Sequence, residues 1–301
     1  MTTEISRRRL RRRLTQWTVR VTAAVALVVL VWGLMIEPAR LVRRDYALPL
    51  PHWPAQCDGL RIDVVADTHT GSPHNGLENL DRIVAQLSAS DADLVLLAGD
   101  YVILRVLMGS YVPADAIAPR LRPLTAKKPV YAVLGNHDWW KNGPKISAAF
   151  TAAGVRMIDN QAVPVRVGQC RFWLAGLGDL REGRPDVAGT YARIPAGAPV
   201  IALTHEPDLF PSIPAGTALT IAGHTHGGQI YPFPHRQPGA FMPHSHTLNG
   251  WIEEDGRHLF VSPGIGTSIF PMRLGVPPEI SRLTLRSQNE RRGEQHAAQR
   301  K

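Results

Sequence analysis

Five short polar clusters occur in order along the chain: Asp67-Thr68-His69, Gly99-Asp100, Gly135-Asn136-His137-Asp138, Thr204-His205 and Gly223-His224-Thr225-His226. Together they hold three Asp, one Asn and five His. Carboxylate oxygen and imidazole nitrogen, without thiolate, suit Mn²⁺, Fe or Zn²⁺ rather than a soft-metal site. His224 and His226 alternate with Thr225, so on an extended segment both side chains point the same way. Each cluster alone has an ordinary reading. A strand-ending Asp serves as a cap or turn residue, Gly-Asp is a turn signal, and Asn and Asp suit turns. A lone His is more often a core or surface residue than a ligand. All five in this order read as a centre for two transition metals.

The segments before the clusters are what must position them. Ile62 to Ala66, Leu94 to Ala98, Tyr131 to Leu134, Val200 to Leu203 and Leu219 to Ala222 are apolar, strand-like runs, each ending where a cluster begins. Open α/β folds place their chemistry just beyond the carboxyl ends of strands. Apolar residues at helical spacing predict helices over Leu77–Leu87, Ala114–Leu124 and Lys145–Ala153, the last closed by Gly154. Further strands are expected at Val163–Val167, Phe172–Gly176, Leu259–Ser262 and Ile280–Leu285. β and α elements alternate to about residue 158, and a more strand-rich half follows. This predicts an α/β protein with two packed sheets.

The chain has 301 residues, 44% of them hydrophobic, enough for one large core. Its formal charge of +9 lies in the ends. Ten Arg against Glu4 and Glu37 precede residue 45. Arg286, Arg291, Arg292, Arg300 and Lys301 against Glu290 and Glu294 follow residue 285. The body between is slightly acidic, so the broad basic face of a nucleic-acid binder is not indicated. Arg7 to Arg13 instead precede an apolar stretch from Val21 to Ile36, close to the ~20 residues that cross a bilayer. Glu37-Pro38-Ala39-Arg40 offers no small-x-small cleavage site, which favours an uncleaved anchor over a signal peptide. The arginine excess on the amino side puts the N-terminus in the cytoplasm and the body outside. The expected organisation is a basic N-terminus (1–16), an anchor (17–38), a Pro-rich extended linker (39–58), the catalytic domain (59–286) and a disordered tail (287–301). Cys57 and Cys170 are expected as buried free thiols, or as a disulfide if the domain is exported.

The five clusters resemble the signature of the calcineurin-like metallophosphoesterase superfamily, from Asp67 to His226. Leu203-Thr204-His205-Glu206-Pro207-Asp208, the run from Gly223 to Gln229, Ser262 to Ser268 and Pro277-Pro278-Glu279-Ile280 resemble one membrane-associated bacterial branch. That branch includes general phosphodiesterases and UDP-2,3-diacylglucosamine pyrophosphatases of lipid A synthesis. The resemblance implies a four-layer α/β/β/α sandwich of two mixed sheets, behind the N-terminal transmembrane helix. It implies that Asp67, His69 and His226 bind one divalent metal and that Asn136, His205 and His224 bind the other. Asp100 would bridge the two, with Mn²⁺ the first choice. His137 would be no ligand, but would stabilise the transition state and protonate the leaving oxygen during in-line attack by a metal-bridging hydroxide.

The implied function is hydrolysis of phosphodiester or pyrophosphate bonds, on a small or lipid-linked substrate, at a bacterial inner membrane. A lipid A pyrophosphatase, a nuclease and a non-catalytic tethered binding protein are the alternatives. One departure matters: the phosphoprotein phosphatase branch has an Asp three residues after Gly-Asp to orient the catalytic His, and here that residue is Ile103. This argues against a protein phosphatase. Arg273 is expected at the surface, Trp139 and Trp140 in rim or core, and His235, His244 and His246 in a loop near the site mouth. Leu104 to Met108 reads equally as an exposed apolar patch or as core.

Overall fold

The computed structural model describes residues 2–231 and 249–288. His235, His244, His246 and nearly all of the expected tail lie outside the described residues. Helix α1 (Thr2–Val31) continues through a π turn (Trp32–Ile36) and a 3₁₀ turn (Glu37–Ala39). By length and composition it could cross a membrane. Next come β1 (Val42–Leu50), β2 (Leu60–Val65), α2 (Leu77–Ala89), β3 (Leu94–Ala98), α3 (Ala114–Ile117), α4 (Arg122–Thr125) and β4 (Val130–Val133). Helix α5 (Asn136–Ala152) and β5 (Arg156–Met157) complete the first half. The second half holds β6 (Gln161–Val167), β7 (Cys170–Gly176), α6 (Val187–Tyr191), β8 (Val200–Leu203) and β9 (Leu219–Ala222). It ends with β10 (Gly250–Glu254), β11 (Arg257–Val261) and β12 (Glu279–Ser287).

The strands form two six-stranded mixed sheets, ordered β1-β12-β2-β3-β4-β5 and β10-β11-β9-β8-β7-β6. Strands β2 to β5 run parallel, as do β7, β8, β9 and β11. Their apolar runs are nearly continuous because both faces are covered. Alternate residues Leu60, Ile62 and Val64 of β2, with Leu94 and Leu96 of β3, meet Phe172, Leu174, Ile201, Leu203 and Ile221 between the sheets. The intervening Val65, Val95 and Leu97 pack outward on Leu80, Ile83, Val84 and Leu87 of α2 and on Phe150 of α5. A smaller outer layer, around Leu209 and Ile213, covers Leu177 and Ala202 of the second sheet, with Val187 and Tyr191 packed against it. The result is the α/β/β/α arrangement that the resemblance implied.

Two expectations need correction. The 39–58 segment is not a linker: β1 pairs in parallel with β12 from Val42↔Glu279 to Leu50↔Ser287. Its Leu48 and Leu50, and then Trp53 and Cys57, are buried in the inter-sheet core. Proline suggested an open chain, but Pro49 sits in an edge strand, where a missing N–H is tolerated. Of the two states expected for Cys57 and Cys170, the structure has the disulfide. It joins the turn before β2 to the start of β7, and so ties the sheets together at the edge where these parallel strands begin. Helix α5 starts nine residues earlier than expected, at Asn136, with Asn142 at non-helical φ/ψ just before Pro144.

Candidate metal centre

Each cluster lies at the carboxyl end of a strand. Asp67 and His69 follow β2, Asp100 follows β3, and His205, His224 and His226 follow β8 and β9. Asn136 and His137 open α5 directly after β4. Asp67, His69, Asp100, His224 and His226 take positive φ values of 49°, 37°, 58°, 71° and 52°. Such backbone is costly for residues other than glycine, and it collects where function requires it. Neighbouring glycines make room. A Cβ on Gly135 would lie 2.3 Å from Asp100 Oδ1, and one on Gly223 would lie 2.7 Å from Asp67 Oδ2.

The donor atoms converge. Asp100 Oδ2 lies 3.4 Å from His69 Nε2 and 3.4 Å from His205 Nε2, midway between two groups. On one side, His69 Nε2 is 3.1 Å from His226 Nε2, which is 3.6 Å from Asp67 Oδ1. On the other, His205 Nε2 is 3.2 Å from Asn136 Oδ1 and 3.2 Å from His224 Nδ1. His69 Nδ1 and His205 Nδ1 face the carbonyls of Val102 and Ala98, at 3.2 and 2.7 Å. A carbonyl accepts only, so the proton of each ring sits on Nδ1 and the Nε2 lone pair points into the cluster.

Burial pushes the His69 and His224 imidazoles down to about 3, and pushes His226 well below its ordinary value. These rings are therefore neutral donors. Burial lifts Asp67 to about 7, with the Asp100 charge adding to it and His205 opposing. Burial works against ionisation of Asp100 too. With no cation in the cluster, however, Asp100 raises His205 well above its ordinary value, and that second proton on His205 holds the Asp100 carboxyl below the usual range. A bound cation takes the proton's place. Facing lone pairs beside buried carboxylates repel unless cations lie between them. Among the described residues, the buried His226 Nδ1 has no hydrogen-bond partner. This donor chemistry fits two divalent ions. Ligand atoms of Asp67, His69 and His226 lie within 4.8 Å of one another, as do those of Asp100, His205 and His224.

His137 sits beside the group. Its ring packs edge-on to His69, with centroids 4.6 Å apart. Its Nδ1 accepts from the Leu104 N–H at 3.2 Å, which puts the ring proton on Nε2. A backbone amide thus fixes the His137 ring, and Ile103, in place of an acidic residue, is buried. Asp138 acts on the neighbouring turn instead, where its carboxylate accepts from the N–H groups of Asp100, Tyr101, Val102 and Gly135 at 2.9–3.2 Å. It fixes the Gly99–Val102 turn that carries Asp100. Trp139 packs partly buried against the core of the first sheet's outer face, while Trp140 is exposed with its ring 5.4 Å from His137.

Arg273 is a correction. It is fully buried, and its guanidinium donates to the carbonyls of Gly266, Val276 and Pro263. That loop backs the site: Gly266 N–H donates to Asp67 O at 2.7 Å, and Ile265 N–H to Ala66 O at 3.1 Å. Sequence reasoning also passed over the buried pair Asp179 and Glu206 behind His205. Burial pushes Glu206 up to about 8. Only the adjacency of Glu206 to His205 hinted at it.

A family model for calcineurin-like phosphoesterases matches residues 60–228. The uncharacterized metallophosphoesterase YkuE of Bacillus subtilis is 30% identical over 259 residues, covering 84% of this chain and 88% of that protein. The phosphodiesterase YaeI of Escherichia coli is 31% identical, covering 64% and 70%. The transmembrane protein with metallophosphoesterase domain of Danio rerio is 27% identical, covering 87% and 61%. The chain belongs to the calcineurin-like phosphoesterase family and is a metal-dependent phosphoester hydrolase.

Proposed function

We propose that the protein is a membrane-anchored phosphodiesterase with a dinuclear centre, in which Asp67, His69 and His226 hold one divalent ion and Asn136, His205 and His224 the other. The observation that carries this reading is the carboxylate of Asp100, equidistant from His69 and His205, as a bridging ligand must be. Mn²⁺ is the first choice of metal. When bound, two such ions polarise a phosphoryl group and lower the pKa of water. The chain supplies the rest. His137, held by the Leu104 amide, presents Nε2–H toward the cluster. There it donates to a phosphoryl oxygen as charge develops and can pass its proton to the leaving oxygen. Asp138 keeps Asp100 in place, and Arg273 keeps the loop behind Asp67 in place.

Helix α1 serves as the anchor in this reading. The Cys57–Cys170 disulfide supports an oxidising compartment, so the body faces outward. That favours a general extracytoplasmic phosphodiesterase, on small or lipid-linked diesters, over a pyrophosphatase of cytoplasmic nucleotide-lipid precursors. The test is a panel of bis(p-nitrophenyl) phosphate, p-nitrophenyl phosphate, UDP-2,3-diacylglucosamine and DNA, with Mn²⁺-reconstituted protein. The diester is expected to be cleaved fastest, and His137→Ala to lower its kcat about 10²–10⁴-fold with metal content intact. Faster cleavage of DNA, or of the UDP-lipid, than of the small diester contradicts the reading.

A further inference from the structure

Two loops beside the metal centre end in apolar tips that face solvent. Leu104, Leu107 and Met108 are 38%, 59% and 82% exposed; Ile269 and Phe270 are 68% and 59% exposed. The loops form one surface, because Val106 bridges Ile269 and the Leu107 N–H donates to Ile269 O at 3.0 Å. The tips are held rigidly. Gln229 donates to the carbonyls of Ser268 and Phe270 and accepts from the Ser268 N–H. Met108 and Ile269 both take positive φ, 63° and 64°. Glycine would relieve that strain, especially in place of a β-branched side chain. What the strained residues provide is apolar surface turned outward.

The same surface continues into α1. The Arg273 N–H donates to Gly33 O at 2.9 Å, and a Cβ on Gly33 would lie 2.5 Å from Met272 Cε. His74 Nε2 reaches Leu34 O at 2.9 Å. The end of the apolar helix is thus fastened to the root of the Ile269–Phe270 loop, and Met35 and Ile36 beside it are exposed as well. A helix that crosses a bilayer brings this end to the interface. Two residues, Pro271 and Met272, separate Phe270 from Arg273, so the two lie at most about 10 Å apart.

We propose that Leu104, Leu107, Met108, Ile269 and Phe270 form a bilayer-contact surface that, with α1, seats the metal centre at the level of lipid head groups. The occupant is the lipid surface itself, since continuity with α1 leaves these tips facing it. Arg105, exposed between Leu104 and Val106, suits the anionic phosphates at that depth. The Leu104 amide that orients His137 lies in this surface, so a diester in a lipid head group would reach the centre without leaving the bilayer. The proposal rests on the reading of α1 as an anchor.

The test uses the full chain reconstituted in phosphatidylcholine–phosphatidylglycerol vesicles. Both native cysteines are in the disulfide, so Met108→Cys adds a single thiol for an environment-sensitive fluorophore. Gln86→Cys, near the far end of α2, is the control. Blue-shifted emission at position 108 is expected, with quenching by spin-labelled lipid about threefold or more above the control. Adding Ile269→Ser and Phe270→Ser should bring that quenching down toward the control. A probe at 108 as wet and unquenched as the one at 86 overturns the proposal. So does excimer formation between pyrene labels at 108 in place of lipid quenching, which would assign the face to a second copy. Resistance to carbonate extraction reports the anchor separately, and turnover of a soluble diester by the same vesicles reports the hydrolase.

Discussion

Replacing Arg273 with Met removes four N–H···O hydrogen bonds, of 2.6–3.1 Å, to three carbonyls. Burial lowers this guanidinium to about 10, so it remains charged at neutral pH. Methionine has a similar reach but no donor, and it leaves the carbonyls of Pro263, Gly266 and Val276 buried and unpaired. At about 1–3 kcal/mol for each orphaned group, less the desolvation that an apolar side chain avoids, the net loss is about 3–5 kcal/mol. That is about a fifth or more of a typical domain's stability. The damage should also reach the centre, because the loop's amides bond to Ala66 O and Asp67 O. Denaturant unfolding of the chain in detergent measures the first effect, and Mn²⁺ titration of the folded variant the second. Affinity is expected to fall about tenfold or more, with Arg273→Lys between variant and wild type. An Arg273→Met protein within about 1 kcal/mol of wild type, with unchanged Mn²⁺ affinity, would falsify the claim that this side chain holds the loop.

Two further perturbations act away from the proposed metal ligands. The disulfide closes a separation of 113 residues, so Cys57→Ser/Cys170→Ser should cost about 3–5 kcal/mol and roughly 10 °C in Tm. Metal-loaded activity should survive, since the bond lies at the sheet edge opposite the site; full loss of metal in a folded variant contradicts that. Asp159, whose Oδ1 accepts from the Leu134 N–H, is lifted by burial to about 6. The folded chain therefore keeps a proton that the unfolded chain gives up near pH 4, and stability is lost as pH rises from about 4 to 6. Allowing for its partial exposure, the loss is about 1–2 kcal/mol. Asp159→Asn should abolish this slope and stabilise the protein at pH 7.5 but not at pH 4; equal effects at both would count against it.

The positions of the five clusters were legible because metal chemistry restricts residue types, and parallel strands deliver them at predictable points. A ligand cannot be replaced by a similar shape, so its signal survives in a single sequence. Supporting roles are interchangeable in kind and leave no such trace. The orienting group of His137 is the backbone amide of Leu104, which any residue but proline could supply. Arg273 satisfies carbonyls brought together only by the fold, so nothing beside it separates it from a surface arginine. Strand β1 was hidden because Pro49 and the prolines just after it suit an open chain as well as the end of an edge strand, and its partner β12 lies more than 200 residues away. The cysteine pairing depends on two sheets meeting, and the spacing of Cys57 and Cys170 does not encode it.

The central claim is a two-metal centre bridged by Asp100, and metal content measured alongside hydrolysis tests it most directly. Mn²⁺-reconstituted wild-type protein should hold two ions per chain and cleave a soluble phosphodiester. Asp100→Asn, folded by circular dichroism, should fall to one ion or fewer and lose activity about 10³-fold or more. A wild-type chain fully active with a single ion, or an Asp100→Asn protein that keeps both ions and full activity, would contradict the account.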